Sequence, residues 1–175
     1  FAEIAPYEYG DNILGALLRE AQFKAQELIP SSGMISTNDL VEPFEARNIH
    51  PRNKTTVGKR LCYLALTRTY GVKGIVDQGP IYQSMEIKDG KAIIRFSNAP
   101  EGFSRMNGIE GFEVAGADKV FYPAVAVVDW NKHIIVSSDQ VPQPVAVRYA
   151  FKNFQPGNLH NHREQPVFPF RTDNW

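Results

Sequence analysis

The chain has 175 residues and carries 19 Lys and Arg against 19 Asp and Glu, a formal charge of zero. The balance is also local, with 8 basic and 8 acidic side chains in residues 1–70 and 11 of each in the remainder, so no segment has the one-sided field of a nucleic-acid binder or an acidic tail. A composition of 43% hydrophobic and 22% charged residues suits one large domain or two small ones, and no apolar run approaches the roughly 20 residues of a membrane-spanning helix.

The opening Phe1-Ala2-Glu3-Ile4-Ala5-Pro6 has neither a basic n-region nor an apolar h-region and reads as the middle of a longer polypeptide. From there to Tyr70 the chain reads helical. Asp11 or Asn12 can cap a helix whose stripe Leu14, Leu17, Leu18, Ala21, Ala25, Leu28 predicts one buried apolar face, and Pro30 with Gly33 ends it. Gly33–Thr37 reads as a short strand, and a polar loop runs from Asn38 to His50. A second helix follows from about Asn53 to Tyr70, with Val57, Leu61, Leu64 and Ala65 on one face and Gly71 at its C′ position. Helix, strand, loop, helix is the end of an α/β layer pattern.

After Gly71 the hydrophobic period becomes two. Met85–Lys88 and Lys91–Phe96 flank Asp89-Gly90, a dipeptide that tolerates the positive φ of a type I′ turn, so a hairpin is expected. Phe112–Ala115, Ala124–Val128, His133–Val136 and Val145–Phe151 add strands at sandwich spacing. The segment from Gln155 to Trp175, with three prolines, reads as irregular chain laid over the surface.

Several catalytic signatures are absent: there is no Gly-rich phosphate loop, CxxC pair, HExxH or Gly-x-Ser-x-Gly elbow. Ser104 lies two residues after Gly102, but Met106 takes the second glycine position, so no serine is placed as a nucleophile. One cysteine, Cys62, excludes an internal disulfide. His160 and His162 form a His-x-His pair in a loop context with no third ligand nearby, which argues against a metal site. His133 falls at a hairpin turn, where a solvent-facing ring is expected. His50 ends a polar loop between a strand and a helix, the place from which α/β enzymes present catalytic groups, although a helix-capping role fits the same position. Asn53-Lys54-Thr55 matches a glycosylation acceptor but reads better as a helix start with Asn53 as its cap.

Ile4-Ala5-Pro6-Tyr7, Leu17-Leu18-Arg19-Glu20-Ala21-Gln22, Gly33-Met34, Asp39-Leu40, Asn48-Ile49-His50-Pro51-Arg52-Asn53-Lys54 and Val57-Gly58-Lys59-Arg60-Leu61 follow one another in order. So do Gly79-Pro80-Ile81-Tyr82, Gly111 to Gly116, Phe121-Tyr122-Pro123-Ala124, Pro144 to Ala150 and Pro169-Phe170-Arg171-Thr172-Asp173. Together, across nearly the whole chain, they resemble the C-terminal part of the sialate O-acetylesterase family, whose members are SGNH-type serine hydrolases.

The resemblance implies an α+β composite: residues 1–70 as the C-terminal portion of an SGNH hydrolase domain, and residues 71–175 as an antiparallel β-sandwich-like domain. It implies that His50 matches the catalytic histidine, with Asn48 where the family usually has the orienting aspartate; Asp39 and Glu45, in the same loop, are candidate substitutes. An amide can accept a hydrogen bond from imidazole but cannot stabilise imidazolium by charge. The implied substrate is an O-acetylated sugar such as sialic acid, with no cofactor and no metal. Neither nucleic acid nor membrane is an expected partner. The serine block is expected on a missing N-terminal half or a second chain, and the implied setting is periplasmic or secreted. Tyr7, Trp130 and Tyr149 are candidate sugar-stacking faces, with burial in a sandwich core as the simpler role. A non-catalytic accessory or glycan-binding module, and an acetylesterase of xylan or another plant glycan, are the alternatives.

Overall fold

The computed structural model describes residues 1–10 and 12–175. Helix α1 spans Leu14–Leu28. Asp11, one of its two expected caps, lies outside the described residues; Asn12 Oδ1 accepts the Leu14 N–H at 3.0 Å. A single 3-10 turn covers Pro43–Glu45. Helix α2, Lys54–Arg68, is capped by Asn53, whose side chain accepts the Thr56 N–H at 3.1 Å. Eight strands follow: β1 Ile81–Lys88, β2 Lys91–Ser97, β3 Phe112–Ala115, β4 Phe121–Pro123, β5 Val125–Val128, β6 Ile134–Ser137, β7 Ala146–Tyr149 and β8 Phe170–Arg171. No helix among the described residues is long and apolar enough to cross a membrane.

The strands form two antiparallel sheets of four, ordered β1-β2-β6-β5 and β4-β3-β7-β8. The β1–β2 hairpin turns at Asp89 (φ 50°) and Gly90 (φ 71°), the paired left-handed conformations of a type I′ turn. Alternation then decides the core. Ala92, Ile94, Ala126, Ile134 and Val136 of the first sheet meet Phe112, Val114, Val147, Tyr149 and Phe170 of the second in one buried cluster. Each fully buried Val or Ile there contributes about 1.5–3 kcal/mol by leaving water. Tyr149 belongs to this core, at 1% exposure, and is no stacking platform.

Three local expectations change. The expected strand at Gly33–Thr37 is a single parallel bridge between Ala2 and Ile35, closed by the Glu3 N–H to the Ile35 carbonyl at 2.9 Å and the Ile35 N–H to the Phe1 carbonyl at 3.0 Å. The C-terminal stretch, expected to be irregular, adds β8 to the second sheet through Arg148–Arg171 and Tyr149–Phe170 pairs.

The third change concerns α1. Its buried residues are Gly15, Ala16 and Arg19, while Leu14, Leu18 and Leu28 of the apolar stripe are 64%, 47% and 82% exposed. The face turned to the protein mixes small, polar and aromatic residues: Phe23 packs on Phe168 with ring centroids 4.9 Å apart, Gln22 Oε1 accepts from the Ile4 N–H at 2.8 Å, and the Gly15 N–H donates to Asn153 Oδ1 at 2.8 Å. A Cβ on Gly15 would stand 3.0 Å from that oxygen, so glycine permits the approach.

Candidate functional site

The loop that carries His50 begins under α1 and ends at α2. Glu3, buried near the chain start, accepts from Ser36 Oγ at 2.6 Å and from the Thr37 N–H at 2.9 Å. Burial raises its pKa and outweighs Arg19, whose Nε lies 4.0 Å away, and the two hydrogen bonds. Arg19 is itself buried, its pKa lowered by the same loss of water, and its Nε finds no acceptor. Asn38 is oriented so that its amide donates to the Gln155 carbonyl and accepts the Gly157 N–H, each at 3.0 Å.

Asp39 is the hub of the next layer. Arg60 of α2 grips it with two bonds of 2.7 and 2.6 Å, and His160 Nε2 lies 2.8 Å from Oδ2. Burial pushes the Asp39 carboxyl pKa up, but the hydrogen bonds and charge of Arg60 and His160 more than reverse this, leaving it below the usual carboxylate value. His160 Nδ1 faces the Asn158 carbonyl at 3.1 Å. With both ring nitrogens engaged, His160 is a structural clamp and has no nitrogen directed at a substrate.

Glu45 fixes the other end of the loop. Its carboxylate accepts the Glu42 N–H at 3.1 Å and the Arg52 N–H at 2.8 Å, closing residues 42–52 into a ring, and these bonds lower its pKa. Asp39 and Glu45 were both candidates to orient His50 in place of an aspartate. Both are committed elsewhere, Asp39 to Arg60 and His160, Glu45 to backbone.

Asn48 and His50, separated by Ile49, are both exposed. Asn48 Oδ1 accepts the backbone N–H of His50 at 3.0 Å, so it holds the main chain and not the imidazole. On the other side Pro51, buried, restricts His50 to extended conformations. The histidine backbone is thereby fixed from both directions while its ring makes no hydrogen bond among the described residues. A hollow of about 280 Å³ beside the loop is lined by residues including Asp39, Phe44, Glu45 and Arg52.

The remaining titratable candidates lie elsewhere. His133 is not solvent-facing alone but pairs with Asp129, Nδ1 to Oδ2 at 3.2 Å. His162 is exposed, and His160 turns inward, so the His-x-His pair does not share a site. Ser36 Oγ is spent on Glu3, and Ser104 Oγ donates to the His160 carbonyl at 3.3 Å. No serine hydroxyl meets a histidine ring among the described residues. The Asp39–Arg60–His160 cluster carried no sequence signal, since its members are 21 and 121 residues from Asp39. Pro43 at the start of a turn was a visible sign of the loop that Glu45 pins.

No family model matches the chain, and no curated protein matches it. Among solved structures it is similar to the crystal structure of XAC1771, a carbohydrate acetylesterase from Xanthomonas citri, with 36% identity and a TM-score of 0.86. The similarity covers 99% of this chain and 40% of that one, so the chain spans about two-fifths of the length of its structural neighbour.

Proposed function

We propose that this chain is the histidine-bearing portion of a serine carbohydrate O-acetylesterase. The observation that carries the reading is its 36% identity to a carbohydrate acetylesterase over 99% of its own length. The geometry supports it through His50, whose backbone is anchored by Asn48 and Pro51 while its ring stays open. In this reading the serine lies outside the 175 residues, on another stretch of the same polypeptide or on a second chain.

His50 would take the serine proton as the oxygen attacks the acetyl carbonyl, then give that proton to the departing sugar hydroxyl as the C–O bond breaks. Water, deprotonated by the same ring, then releases acetate. Asn48 acts as a positioning residue through the His50 main chain. Residues 1–70 would complete an SGNH-type domain, an assignment supported by the exposed apolar ridge of α1, which a neighbouring layer would cover. The resemblance to sialate O-acetylesterases suggests acetylated sialic acid as substrate and a periplasmic or secreted setting.

The test is reconstitution. The chain alone should not hydrolyse p-nitrophenyl acetate. Mixed or fused with the serine-bearing portion it should, and His50→Ala should lower that turnover by about a thousandfold or more. Turnover by the chain alone that disappears in His50→Ala would overturn the division of labour. Turnover in the mixture that His50→Ala leaves intact would favour the accessory-module reading.

A further inference from the structure

A cavity of about 370 Å³ opens where three segments meet: residues 75–78 after α2, residues 98–102 after β2, and residues 161–163. Each wall is pinned. Gln165 Nε2 donates to the Val76 carbonyl at 3.2 Å, Arg68 bonds Asp77 at 2.8 Å, and Asn161 accepts the Arg163 and Gln165 N–H groups at 3.0 Å each. The cavity shares no lining residue with the hollow lined by Asp39, Phe44, Glu45 and Arg52.

Its chemistry is mixed. Ala99, Pro100, Ile75 and Val76 provide apolar surface, while the Asn98 amide and the His162 ring make no hydrogen bond among the described residues. The charges are paired off: Arg163 bonds Glu101 across the opening at 3.1 Å, and Asp77 bonds Arg68. No uncompensated cation is left to hold a carboxylate or phosphate, and no uncompensated acid to hold an amine.

An aromatic stands on the adjoining hairpin. Trp130, between β5 and β6, is 98% exposed, and its turn is held by side-chain hydrogen bonds. Asp129 Oδ1 accepts the Asn131 and His133 N–H groups at 2.8 and 2.7 Å. Lys132 ties the turn to the cavity wall: Nζ donates to the Pro100 carbonyl, and its methylenes lie where a Cβ on Gly102 would be 3.4 Å away. Gly102 has φ 91°, a conformation glycine adopts without strain.

A hydrated indole on a turn tied to the wall of a preformed hollow of neutral donors and acceptors is the combination that recognises a polyhydroxylated ring: C–H faces stack on the aromatic, and hydroxyls exchange hydrogen bonds with amide, imidazole and paired ions. We propose that this cavity and Trp130 form a binding site for a neutral oligosaccharide. An anionic sugar lacks its counter-charge here. The site's use in presenting an acetylated neutral glycan, the plant-glycan alternative to sialic acid, to His50 rests on the esterase reading, whereas binding itself does not.

The experiment is calorimetric titration of the full chain with xylohexaose, cellohexaose, mannohexaose and sialyllactose, read in parallel by tryptophan fluorescence. At least one neutral hexaose should bind saturably and blue-shift the emission, and Trp130→Ala or His162→Ala should weaken it by about tenfold. Because Trp130 and His162 are exposed, both variants should melt like the parent. His50→Ala should bind unchanged, which separates this result from failure of the esterase reading. No saturable binding of any neutral hexaose up to about 10 mM, tighter binding of sialyllactose than of the hexaoses, or indifference to Trp130→Ala would each overturn the proposal.

Discussion

Asp39 and His160, 121 residues apart in sequence, lie 2.8 Å from one another in the folded chain, and Arg60 bonds both oxygens of the same carboxylate. The pair joins the loop that leads to His50 to the segment that returns from the sandwich.

Removing that carboxylate should be costly. Asp39→Ala leaves the buried Arg60 guanidinium without its partner, a loss of about 3–5 kcal/mol visible in urea unfolding. Asp39→Asn should recover part of it. A loss of well under 1 kcal/mol in Asp39→Ala would mean that the cluster contributes little to holding the two regions together.

Stability should respond to pH through two carboxylates of opposite sign. The Asp39 pKa is lowered on folding, so its contribution is present above the ordinary carboxylate value and lost as pH falls through the folded one. The Glu3 pKa is raised, so its contribution is present at low pH and lost as pH rises through its folded value. Acidification therefore gains stability at Glu3 and loses it at Asp39. The Glu3 gain comes as pH falls toward the ordinary carboxylate value, and the Asp39 loss comes below it. In Glu3→Gln, unfolding free energies measured from about pH 7 down to about pH 2 should therefore lack the gain that the parent shows in the upper part of that range and keep the loss in the lower part.

Gly157 is irreplaceable for a steric reason. A Cβ there would overlap the Tyr149 hydroxyl and approach the Asn38 side-chain amide to 2.7 Å. That hydroxyl accepts the Leu159 N–H at 3.0 Å within the core, and burial pushes the phenol pKa up. Gly157→Ala should cost about 2–3 kcal/mol, and Tyr149→Phe about 1–2 kcal/mol by orphaning the Leu159 donor. Thermal melts of both variants check the order.

The ridge of α1 should separate stability from assembly. Leu18→Glu places a charge where the side chain is already 47% exposed, so the chain should lose less than about 0.5 kcal/mol. The same change should reduce recovery of esterase turnover when the serine-bearing portion is added. Unimpaired recovery would mean that this face is not the seam.

The sandwich was legible because a two-residue period, Asp-Gly turn chemistry and short spacing all act locally; β1, β2, β3 and β6 fall close to where those signals put them. Both helices were legible for the same reason, but the orientation of α1 was not. Its apolar stripe indicates which face seeks apolar contact, and in this chain Gly15 and Arg19 instead face inward to meet Asn153 and the Lys152 carbonyl. Those partners are more than 130 positions away, beyond any periodicity. The His50 loop was visible as polar chain between elements, whereas the engagement of Asp39 by His160 and of Asn48 by the His50 N–H depends on geometry that spacing does not encode.

The C-terminal return segment has a mechanical consequence. Residues 152–171 bond α1 through Asn153 and Arg171, reach Arg60 of α2 through the Glu164 carbonyl, and supply β8 to the second sheet. The connector from Thr69 to Gly74 is exposed and carries glycines at φ 68° and 82°, which makes it an open target for a protease. A chain nicked there would still migrate as one particle under native conditions, and its two pieces would part only in denaturant, so the backbone at that connector is dispensable once folding is done.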